Sequence, residues 1–110
     1  MTVNNMNPSN GKKFNIYEYM DDVRRTAVAT DLNEYCLGLA GETGEILEII
    51  KKHRYQRKQL DLKHLTEELG DDLFYLCAIM HNYGIDIADC IRMNMEKRAK
   101  KYDKRFYRVK

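Results

Sequence analysis

Two pairs of acidic residues in the middle of the chain have a spacing that could do chemistry: Glu42 with Glu45, and Glu68 with Asp71. In a helix, side chains three apart lie on one side, about one turn from each other. Like charges so placed repel, and the arrangement is unfavourable unless something positive joins them. If the two segments are helices packed antiparallel, four carboxylates converge on one pocket. Hard oxygen ligands in that number suit Mg²⁺, with Mn²⁺ able to substitute, and not zinc. Magnesium keeps several waters and binds phosphate oxygens readily. A single Glu-x-x-Glu pair is common on solvated helices. Two such pairs, with glycines beside one and a further acid beside the other, argue for a metal site.

Four helices must position these groups, and no segment reads as a convincing strand. Helix one spans about Phe14 to Ala29. Asp31 or Asn33 can cap helix two, which continues to about His53. A polar link covers Arg54 to Leu60, and Asp61 is a good N-cap for helix three, which reaches about Tyr83. Gly84 suits the left-handed residue that ends a helix. Asp86 caps helix four, with Asp89 in its first turn, where the helix dipole favours negative charge.

Helix two carries Gly38, Gly41 and Gly44 beside Glu42 and Glu45, and Glu48 continues the acidic row. Each interior glycine costs about 1 kcal/mol relative to alanine, so close approach by a backbone or a ligand is expected there. On helix three, Leu62, Leu65, Leu69, Leu73, Leu76 and Met80 form an apolar stripe. Asp72 falls at its edge and needs a cation or a hydrogen-bond partner to stay charged. Helix four turns from apolar (Ile87, Ile91, Met95) to basic and polar (Asn94, Lys97, Arg98, Lys101) along one side, which could hold phosphate oxygens. Lys51, Lys52 and Arg54 close helix two and complement its dipole.

With 110 residues the chain fits one domain, residues 14–110, behind a flexible N-terminal tail over residues 1–13 rich in Asn, Ser, Lys and Gly. A domain of this size buries a modest core, which partner subunits could extend. Net charge is +2, from 19 basic and 17 acidic residues, so nothing general argues for nucleic acid as a partner. No run approaches the roughly 20 apolar residues of a membrane span, and the N-terminus does not read as a secretory signal. Cys36, Cys77 and Cys90 show no paired spacing and read as small core thiols of a cytoplasmic protein. There is no GxxxxGK[ST] loop and no HExxH. His53, His64 and His81 are scattered and read as surface or local hydrogen-bonding groups.

The run from Gly38 to Glu45, followed by Leu65-Thr-Glu-Glu-Leu-Gly-Asp71, resembles the ExxE…ExxD signature of the MazG-like, all-α NTP pyrophosphohydrolases. The segment from Asn94 to Tyr102 is similar to that family's closing segment, and the resemblance runs from about Phe14 to Tyr102. It implies an all-α, four-helix protomer assembling as a homo-oligomer, a dimer or tetramer whose pocket draws helices from two subunits. It implies a Mg-dependent enzyme that converts (d)NTP to (d)NMP and pyrophosphate, a nucleotide-pool house-cleaning activity. Glu42, Glu45, Glu68 and Asp71 would bind the metal. Asn94, Lys97 and Tyr102 would contact the nucleotide or its phosphates, and Lys52 is a further phosphate candidate. For the mechanism, Glu45 is the expected base, and Lys97 and Lys101 the expected stabilisers of phosphate charge. Three positions depart from the family pattern. Met20 stands where many relatives place Gln, Lys101 where Arg is common, and Asp72 where an apolar residue is usual, so Asp72 is a candidate extra ligand. Related substrates (dUTP, dCTP, phosphoribosyl-ATP) and a non-catalytic helical interaction module are the competing readings.

Overall fold

The computed structural model describes residues 13–28 and 31–102. They form α1 (Ile16–Thr26), α2 (Leu32–Tyr55), α3 (Leu62–Asn82) and α4 (Ile87–Lys101), with no strand element among them. The tail expected over residues 1–13 lies, apart from Lys13, outside the described residues, as do residues 103–110.

Each helix starts at a side chain that satisfies its first free N–H groups. Asn15 caps α1, its Oδ1 accepting from the N–H of Tyr17 and Glu18 at 2.9 Å each, while its Nδ2 donates to Glu18 Oε1 at 3.0 Å. That cap starts α1 at Ile16, two residues after the expected Phe14. At its other end α1 stops at Thr26, where Ala27 leaves the helical conformation; the expected end at Ala29 falls outside the described residues. Asp31 caps α2 by accepting from Asn33 N–H at 2.9 Å, and Asp61 caps α3 by accepting from His64 N–H at 3.0 Å. Asp86 caps α4 through Ala88 N–H at 2.7 Å. Gly84, with φ +67°, ends the α3 region in the left-handed conformation that suits glycine.

The main packing is α2 against α3, and the pairing is antiparallel. Moving along α2 through Gly38, Glu42 and Glu45, the facing residues on α3 run backwards through Tyr75, Asp71 and Glu68. Steps of four and three residues on one helix match steps of four and three on the other. α1 packs on α3 and, less extensively, on α4. One small core joins Met20 and Val23 of α1, Tyr35 of α2, Cys77 and Ala78 of α3, and Ile87 of α4.

The leucine stripe of α3 is not the centre of this core. Leu69, Leu73 and Leu76 are 50%, 47% and 42% exposed, while Val23, Cys77 and Ala78 are completely buried. Helix α3 has a second apolar face, built on Phe74, Cys77 and Ala78, and that face turns inward. Cys77 is a core thiol as expected, but Cys36 and Cys90 are exposed. No described helix is long and apolar enough to cross a membrane.

Candidate metal centre

The antiparallel register brings the acids of α2 and α3 face to face. One carboxylate oxygen from each of Glu42, Glu68 and Asp71 lies within 4.8 Å of the other two. Glu45, one turn along α2, turns its carboxyl toward Glu68. The side chain of Glu68 is 14% exposed. Oε2 of Glu42 and Oε2 of Glu68 are both buried without a hydrogen-bond donor. A carboxylate oxygen withdrawn from water and given no donor costs free energy, and two facing each other add repulsion. These orphaned hard oxygens are the donor set that a Mg²⁺ or Mn²⁺ ion satisfies, so the residues fit a divalent cation.

The same crowding perturbs the acids' protonation. Glu45 is pushed above its ordinary 4.5, first by the hydrogen bond it can make to Glu68 when protonated, then by the negative charge of Glu68 and by burial; His64 partly opposes this, and Asp71 adds to it. Glu68 is likewise pushed up, first by the hydrogen bond it can make to Glu42 when protonated. Glu45 partly offsets that, and burial and the charges of Glu42 and Asp71 add to it. Both shifts report negative charge concentrated on one spot.

His64, expected as a surface or local hydrogen-bonding group, is half exposed and has a local partner in the acidic cluster. Its Nε2 lies 3.5 Å from Glu68 Oε1, one helical turn away. The i, i+4 spacing of a His and a Glu was the available signal. Tyr19 of α1 also reaches this region. Burial raises its phenol first, followed by the proximity of Cys77, Asp22 and Asp71. Beside Tyr19 runs a groove of about 910 Å³ between α1, α3 and α4, whose apolar walls include Phe14, Leu73, Ile87 and Ile91.

Asp72 does not join the acidic cluster. Its carboxylate accepts from Thr43 Oγ1, at 3.1 Å to Oδ1 and 3.2 Å to Oδ2. The acid at the stripe's edge therefore has the hydrogen-bond partner it needed. Glu48 is exposed further along α2 and also lies outside the cluster. Of the three glycines only Gly38 shows a close approach, and a side chain makes it rather than the expected backbone or ligand. A Cβ built there would stand 2.5 Å from Tyr75 Cε1 and Cζ, whereas nothing lies within 4 Å of one at Gly41 or Gly44.

The basic candidates are on the end of α2 and on α4. Lys52 is exposed near the end of α2, two turns past Glu45 on the same side, about 10 Å further along the axis. Asn94, Lys97 and Lys101 are exposed on α4, which packs against α1. Asn94 Oδ1 accepts from Arg98 Nε at 2.9 Å. Lys101 Nζ sits 5.5 Å from the ring centre of Tyr102.

Fold and site define a class: an all-helical domain whose two central antiparallel helices face each other through carboxylates. The chain belongs to the family of the MazG nucleotide pyrophosphohydrolase domain, which matches residues 30–106. Neither a curated protein nor a solved structure gives a match.

Proposed function

We propose that this chain is a nucleoside triphosphate pyrophosphohydrolase that releases pyrophosphate and a nucleoside monophosphate. The reading is carried by the orphaned oxygens of Glu42 and Glu68 beside Asp71, in a chain of the MazG family. Glu42, Glu45, Glu68 and Asp71 would hold Mg²⁺, or Mn²⁺ in its place. Bound there, the ion neutralises triphosphate charge and lowers the pKa of a coordinated water.

The remaining work falls to the chain's own groups. Glu45 is the more exposed of the two acids that α2 contributes, and so the one most open to a water. It accepts the proton of the attacking water. Glu42 and Glu68 each keep one oxygen buried without a donor, so their part is to hold the cation. Lys97 and Lys101 stabilise charge on the phosphate oxygens, Asn94 and Tyr102 contact the nucleotide, and Lys52 extends the positive row along α2.

Since α4 packs against α1 in the protomer, we assign completion of the pocket to a second copy. Leu69, Leu73 and Leu76 of α3 and Ile91 and Met95 of α4 are all at least two-fifths exposed, an apolar surface suited to burial in a homo-oligomer. The free thiols of Cys36, Cys77 and Cys90 fit a cytoplasmic setting, and house-cleaning of the nucleotide pool is the role proposed.

The test is pyrophosphate release with Mg²⁺ over a panel of NTPs and dNTPs that includes dUTP, dCTP and phosphoribosyl-ATP. Activity on at least one, lost in Glu45→Gln and Asp71→Asn, is the expected result. No pyrophosphate from any nucleotide, or full activity in Glu45→Gln, would overturn the mechanism.

A further inference from the structure

A threonine in a helix can return its hydroxyl to a carbonyl of the preceding turn. Two threonines here do so: Thr26 Oγ1 donates to Asp22 O at 3.0 Å and Thr66 Oγ1 to Leu62 O at 2.7 Å. Thr43 does not. Its hydroxyl crosses from α2 to α3 and bridges both oxygens of Asp72, at 3.1 and 3.2 Å. Thr43 follows Glu42 in the chain, and Asp72 follows Asp71. The bond therefore links the two helices, side chain to side chain, beside the two facing acids.

We infer that Thr43 and Asp72 are a positioning pair that fixes the register of α2 on α3 and thereby the approach of the four metal-site acids. The role rests on the reading of those acids as a metal site. Without a cation, repulsion within the acidic cluster opposes the close approach of the two helices. Gly38 under the Tyr75 ring pins the helices on one side of the acids. The Thr43 hydroxyl holds them at the level of the acids themselves. It also engages Asp72, so that a fifth carboxylate beside Asp71 is turned to the neighbouring helix and kept out of the cluster.

The test is the affinity for Mn²⁺ alone, read by electron paramagnetic resonance of the free ion well below the melting temperature. Valine matches threonine in shape and cannot donate, and alanine serves as a second variant should valine disturb folding. Thr43→Val and Thr43→Ala are expected to weaken Mn²⁺ binding about three- to tenfold, below the roughly 10–100-fold seen for partners bonded directly to a ligand. Thr43→Ser, which restores the hydroxyl, returns affinity to within about twofold of wild type. In an Asp72→Leu background, Thr43→Val adds no further loss, because its partner is already gone. A purely structural role would lower the melting temperature and leave the affinity of the folded protein unchanged. Wild-type affinity in Thr43→Val and Thr43→Ala, or an equal loss with and without Asp72, overturns the positioning role alone. A wild type that binds no Mn²⁺ overturns the metal site, and the positioning role with it.

Discussion

Gly38→Ala is the perturbation whose sign the structure decides. Alanine in a helix interior is favoured over glycine by about 1 kcal/mol. The added methyl would stand 2.5 Å from Tyr75 Cε1 and Cζ, well inside contact distance. The ring cannot easily give way, since it is half-buried against the core and meets Phe74 edge to face at 5.4 Å. Overpacking of this kind costs roughly 1–3 kcal/mol. The two effects together leave Gly38→Ala neutral to about 2 kcal/mol destabilising, a fall in Tm of up to about 8 °C at roughly 4 °C per kcal/mol for a domain of this size. In a Tyr75→Ala background the obstruction is gone, so the same substitution should stabilise by about 1 kcal/mol. Gly41→Ala and Gly44→Ala, with open space around the new Cβ, should each stabilise by about 0.5–1 kcal/mol in the wild-type background. Thermal and urea melts followed by far-UV circular dichroism, in EDTA, measure all of these. An equal effect of Gly38→Ala with and without the Tyr75 ring would refute the reasoning.

The raised carboxyls of Glu45 and Glu68 fix a pH dependence. The metal-free folded state holds protons that the unfolded chain has released, so the contribution of these groups is fully present below the ordinary 4.5 and is lost as pH rises through their raised folded values. Relative to Glu45→Gln, metal-free wild type should therefore lose stability as pH climbs from about 4.5 toward neutral; melts in EDTA showing a difference independent of pH would contradict this. Asp86→Ala removes the cap that accepts from Ala88 N–H at 2.7 Å and should destabilise by about 1 kcal/mol, whereas an unchanged urea midpoint would show the cap to be idle. Leu73→Lys places a charge on the exposed apolar surface of α3; light scattering should show smaller particles than wild type with the helical spectrum kept, and unchanged particle size would place the subunit contact elsewhere.

Helix ends and acids were legible in the sequence because both depend on near neighbours. Asp31, Asp61, Asp86 and Gly84 act within one turn of where they stand, and the pairs Glu42/Glu45 and Glu68/Asp71 are recognisable from spacing alone. What the sequence could not settle was which way each helix faces. Along α3, leucines make one apolar stripe and Phe74, Cys77 and Ala78 make another, and periodicity cannot say which one the chain's own core takes. The continuous leucine stripe was the natural choice, and the structure buries Cys77 and Ala78 instead, because residues of α1 and α2 pack against α3 there. The glycines of α2 were ambiguous for the same reason: only the position of Tyr75 separates Gly38 from Gly41 and Gly44. His64 went unrecognised as a site neighbour because its importance depends on Glu68 being turned inward.

The matched steps along α2 and α3 make the centre sensitive to a kind of change that point substitution does not sample. Inserting or deleting one residue between Gly38 and Glu45 would swing everything beyond it about 100° around the helix axis. An insertion would carry Glu45 into the buried position of Ile46, and a deletion would carry Ile46 into the place of Glu45 among the carboxylates. By contrast, an extra residue before Asp31 lengthens a connection whose closure entropy grows only with the logarithm of its length. Length variation in this molecule should therefore be tolerated at the seams between helices and eliminated within the two helices that carry the acids.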